Sequence, residues 1–214
     1  MPSFESLFLG ALLLAIAAGA FLLWSGLKRS GTSLAVQELG RGHFAAALAA
    51  ARTDGPHPER DELYAAAVAA KHLLDLDRAR ELLGRLLAAD PEDGEAWLES
   101  GLVAAYSGDT VAALEDFSKA AARRSDLAES ITLHRAWLAL RQGDTATARR
   151  LFDEVEAPLE TKLKTDLGEG EPLFAEWFLE AAALWEAEGD SERASWARSA
   201  GRAAAPQSRA WERT

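Results

Sequence analysis

Trp97–Ala121 reads WLESGLVAAYSGDTVAALEDFSKAA. Apolar residues recur at helical spacing on either side of Ser107-Gly108-Asp109, so the stretch predicts two helices joined by a tight turn. Glycine supplies a C-terminal stop for the first helix, and aspartate is a good N-cap for the second. Gly101 and Ala113 are small enough to let two helices cross closely. Phe117 and Ala120 fall one helical face further on.

The same turn and the small residue after it recur along the chain. Gly42-His43 leads to Ala47, Asp75-Leu76 to Ala79, Gly108-Asp109 to Ala113, Gly143-Asp144 to Ala148, and Gly189-Asp190 to Ala194. The alanines stand 32, 34, 35 and 46 residues apart. A lone hairpin of this size cannot bury its apolar stripe, whereas three or more stacked copies share a continuous core.

A helix–turn–helix unit recurring near 34 residues resembles the tetratricopeptide repeat family. Trp97, Gly101, Gly108, Asp109, Ala113, Phe117 and Ala120 carry the resemblance in the best copy. The copy before it offers Leu63, Ala67, Ala79, Leu83 and the closing Asp90-Pro91. Ala136, Gly143, Ala148 and Phe152 mark the fourth unit, and Ala182, Gly189, Ala194 and Pro206 the fifth. Two family positions differ in the best copy, where Ser100 and Ala104 stand for the usual leucine and tyrosine. The resemblance implies an all-α, right-handed superhelical solenoid of about five helical hairpins over residues 28–206, with a short tail at 207–214.

Composition agrees with an all-helical chain. Alanine is abundant, Ile and Val are scarce, and no β-hairpin signal appears between alternating apolar runs. The 214 residues carry a formal net charge of -11. An acidic surface repels phosphate backbones, so nucleic acid is not an expected partner. Cysteine is absent, which excludes disulfides, thiolate metal sites and cysteine nucleophiles.

Residues 6–27, SLFLGALLLAIAAGAFLLWSGL, contain no charge and follow a five-residue tail. As a helix they would extend about 33 Å, enough to span a bilayer's hydrocarbon core. The flank before them has Glu5 and no Lys or Arg, and the run ends in Trp24 rather than a small-x-small cleavage site, so a transmembrane anchor is expected over a signal peptide. Lys28, Arg29 and Arg41 follow the span, which predicts the N-terminus outside and the repeats in the cytoplasm; a periplasmic placement is the alternative. Ala11, Ala15 and Gly19 form a small-residue stripe that would let this helix pack against another.

One segment interrupts the period. Residues 156–171, EAPLETKLKTDLGEGE, carry Pro158 near their start and run up to Pro172, with Leu159, Leu163 and Leu167 every four residues. They read as an insertion: a surface connector with one packed turn, or a short amphipathic helix lying on the repeats.

No motif carries a reaction mechanism. His43, His57, His72 and His134 fit no metal pair, and no phosphate loop or nucleophile elbow is present. No enzyme activity, cofactor, metal or small-molecule substrate is expected.

In tetratricopeptide arrays the first helices of successive units line a concave groove. That resemblance places Asp61, Tyr64, Val68, Lys71 and His72 of the second unit there. It adds Glu95, Leu98, Leu102 and Tyr106 of the third, and Leu133, Trp137, Leu140 and Arg141 of the fourth. The family's Lys/Asn/Arg carboxylate clamp is not found among them. The expected function is a membrane-anchored adaptor that holds a protein partner in this groove, similar to bacterial envelope-assembly and membrane-complex accessory proteins. The alternatives are an outward-facing assembly factor or chaperone, and a structural subunit docked through Ala11, Ala15 and Gly19.

Overall fold

Each expected turn closes in the same way. The structure, a computed structural model, describes residues 32–55, 58–165 and 175–213. Five helical hairpins follow one another among these residues. They are α1 (Leu34–Gly40) with α2 (Phe44–Ala50), α3 (Arg60–His72) with α4 (Leu76–Ala89), and α5 (Gly94–Ser107) with α6 (Thr110–Arg123). Then come α7 (Ala128–Arg141) with α8 (Thr145–Thr165), and α9 (Ala175–Ala187) with α10 (Ser191–Ala204). Short 3-10 turns lie at Ser125–Leu127 and Ala210–Arg213, and the described residues contain no strand.

In every hairpin the N–H of the residue that opens the second helix donates to a carbonyl five residues back, at 2.9–3.0 Å. His43 reaches Glu38, Asp75 reaches Ala70, Asp109 reaches Ala104, Asp144 reaches Ala139 and Asp190 reaches Trp185. This 6→1 bond requires a left-handed residue just before it. Gly42, Gly108, Gly143 and Gly189 supply that residue with φ between 73° and 86°. In the second hairpin the position belongs to Leu74, held at φ 60°. Four of the aspartates then cap the helix they open, accepting from Arg78, Ala112, Thr147 and Arg193 N–H at 2.9–3.3 Å.

The small residues do what their spacing predicts. Ala47, Ala79, Ala113, Ala148 and Ala194 are all buried. A Cβ on Gly101 would stand 2.5 Å from two ring carbons of Phe117, so α5 and α6 cross too closely there for any larger residue. Successive hairpins touch as α2 on α3, α4 on α5 and α6 on α7, while α9 packs on α7 and α8. Along the row of first helices, α1 meets α3, α3 meets α5, α5 meets α7, and α7 meets α9.

Two expectations about boundaries fare differently. The insertion at 156–171 does not begin as a new element: α8 runs without a break through Pro158 to Thr165. Leu159 is buried in the core, and Glu156 accepts from Trp185 Nε1 at 3.0 Å. Proline lacks the N–H that would bond one turn back, yet tertiary packing on this side holds the helix together. The apolar span 6–27, with Ala11, Ala15 and Gly19, lies outside the described residues, as do His57 and Leu167. No described helix is long and apolar enough to cross a membrane.

Candidate functional site: the inner face of the first helices

Helices α3, α5 and α7 turn one face toward α9, and the groove residues expected from sequence lie on it. Seven of them, Val68, Lys71, His72, Leu102, Tyr106, Leu133 and Trp137, are buried. Tyr64 and Leu98 are partly exposed, and Arg141 is exposed. The covering element is α9 itself. Its first residue, Ala175, joins Ala205 in a core cluster with Ala35, Leu39, Phe44, Val68 and Ala69 of the first two hairpins. The fifth hairpin therefore reaches back to the first two.

Charged groups are buried in this contact beside the apolar ones. Lys71 is 1% exposed, and its Nζ donates to Glu176 Oε2 of α9 at 2.7 Å and pairs with Glu99 Oε2 of α5 at 2.6 Å. Tyr106 donates its hydroxyl to the other oxygen of Glu176 at 3.0 Å. One turn along α9, Glu180 Oε2 lies 2.6 Å from His134 Nδ1 of α7, and His134 Nε2 lies 3.0 Å from Ser130 Oγ. Residues 176 and 180 are one helical turn apart, so both carboxylates leave α9 on the same side.

The electrostatics follow from the burial. Desolvation alone would lower the Lys71 pKa, but Glu176 and Glu99 outweigh it and the ammonium is pushed up to about 12. His134 is likewise penalised by burial, yet the charge and hydrogen bond of Glu180 leave its pKa raised. His72 has no carboxylate bonded to it, and burial pushes it down to about 4. It stacks on Phe44, with ring centroids 4.1 Å apart, and its Nδ1 lies 3.0 Å from Ser208 Oγ. Glu180 Oε1 and His72 Nε2 are buried without a hydrogen-bond partner.

Beside the seam the face stays open. A cleft of about 260 Å³ is lined by Tyr64, Leu98, Leu102, Leu127 and Trp177, with Glu95, Glu129 and Lys162 among its polar residues. Its charges are already matched. Glu95 binds Arg60 and Arg124, and Lys162 binds Glu129. Arg141 sits apart, its guanidinium 4.9 Å from the centroid of the Trp137 ring.

Sequence reasoning expected Lys71, His72 and Tyr106 in an open groove, where the structure buries them, and assigned no part in it to Glu99, His134, Glu176 or Glu180. The composition of α9 held a signal: AEWFLEAAALWEA is apolar on nearly every side, the mark of a helix covered all round. Among the described residues no group of three or more His, Asp or Glu is placed to hold a metal ion.

No family model and no curated protein matches the sequence. A solved structure titled MamA MSR-1 C2 is similar at 16% identity over 81% of this chain and 93% of that one, with a TM-score of 0.45. Likeness this slight fixes neither fold nor function.

Proposed function

We propose that the chain is a tetratricopeptide-type scaffold for a protein partner, its hairpins stacked as a solenoid and anchored in a membrane by residues 6–27. The open cleft beside the buried seam carries this reading. At about 260 Å³ it falls below the ~300–1,000 Å³ of ordinary small-molecule pockets and suits one or two protruding side chains. Its floor combines Tyr64, Trp177 and leucines, the side chains that serve as anchors in protein interfaces. Lys28, Arg29 and Arg41 favour a cytoplasmic position for the hairpins.

Site-specific photocross-linking in native membranes tests the scaffold. A probe replacing Leu98, in the cleft, should yield a discrete adduct, while one replacing Val111, 78% exposed on α6, should not. The same products from both positions, or none from Leu98, would refute recognition through the cleft. Protease added to intact spheroplasts tests the placement. Protection is expected, and digestion of the hairpins would favour the outward-facing assembly factor.

A further inference from the structure

The seam between α9 and the inner face is built unlike the rest of the core. Elsewhere in the core the hairpins meet through apolar side chains, as where Leu82, Leu83 and Leu86 of α4 cluster with Ala96 and Val103 of α5. Here Lys71, already paired with Glu99 of α5, together with Tyr106 and His134 on one side, meets Glu176 and Glu180 on the other. Burying a charged pair strips water from both ions, and their attraction roughly repays that cost. Such pairs add little to affinity but reject any helix lacking the matching charge. Glu180 Oε1 also goes without a hydrogen bond, which weakens the fit further. The inner face thus discriminates more than it grips.

We propose that the inner face formed by α3, α5 and α7 is a docking site for an acidic amphipathic helix, read through carboxylates at positions i and i+4, and that α9 holds this site in cis. The template for the partner is α9 itself. Glu176 is received by Lys71 Nζ and Tyr106 Oη, Glu180 is received by His134 Nδ1, and Leu179 lies buried between them, while Phe178 turns to Trp196 of α10. A partner helix must supply two carboxylates four residues apart with apolar residues between. This rests on the scaffold reading above and gives that scaffold its ligand chemistry.

A tethered helix competes at an effective concentration of order millimolar, so a free helix gains entry only when the tethered one is weakened. The test uses the full chain and a fluorescent synthetic peptide of residues 175–187. Glu176→Gln or Glu180→Gln in the chain weakens only the helix in cis, and either should tighten peptide binding at least ten-fold over the unchanged protein. The same peptide with Glu176 and Glu180 replaced by glutamine should lose that gain. Far-UV circular dichroism identifies a variant that fails to fold, and the other then supplies the measurement. Equal affinity for the unchanged chain and the folded variant, or binding indifferent to the peptide's carboxylates, overturns the proposal. A Leu98 adduct obtained alongside that result would leave the scaffold standing and remove only the acidic-helix ligand.

Discussion

Gly101 and Gly84 show how one substitution changes sign with its surroundings. Both are helical, but a Cβ at Gly101 meets the Phe117 ring at 2.5 Å, whereas one at Gly84 meets nothing within 4 Å. Phe117 is fully buried and has no room to retreat. Gly101→Ala should therefore lower stability by about 1–3 kcal/mol through overpacking. Gly84→Ala should raise it by about 1 kcal/mol, because alanine favours the helix and restricts the unfolded chain. Urea midpoints for the two variants would check both signs. The close crossing at Gly101 was legible in sequence because a small residue beside an aromatic partner is a local pattern. The left-handed Leu74 was not, since leucine gives no hint of that backbone.

At the scale of elements, α9 joins apolar packing to a few long-range polar contacts. Lys71→Met would leave Glu176 and Glu99 buried without their cation, and such a break costs about 3–5 kcal/mol. Replacing Glu99 and Glu176 with apolar residues in the same chain should recover most of that loss, since an apolar cluster of similar volume is often as stable as a buried ion group. Thermal unfolding of the single and triple variants measures the difference, and a triple variant no better than the single would contradict this account. The hairpins themselves were readable because a left-handed glycine, an aspartate cap and a buried alanine all lie within six residues. The seam was not, because Lys71 and Glu176 stand 105 residues apart and obey no period. At Pro158 the local pattern reads as a stop, while packing against the fifth hairpin keeps α8 running through it to Thr165.

For the whole molecule, the two buried histidines pull stability in opposite directions with pH. His72 faces Lys71, Glu176, Phe44 and Ser208, and burial depresses its pKa from 6.5 to about 4. A depressed histidine supports the fold above pH 6.5 and loses that support as pH falls toward 4, amounting to about 2 kcal/mol between pH 7 and pH 5. His134 has a raised pKa, so its contribution is full below 6.5 and fades as pH rises through its folded value. In His72→Asn the loss of unfolding free energy between pH 7 and pH 5 should shrink, and an unchanged loss would show that other groups govern the acid limb. The separation of Lys71 from Glu176 also has a consequence in time. During synthesis at about 5–20 residues per second, the 105 residues between them take about 5–20 s to emerge. Over the last 70 residues of that stretch, once Tyr106 has also emerged, the nascent chain displays Lys71 and Tyr106 before its own α9 exists, so a helix already waiting at the ribosome would meet them unopposed.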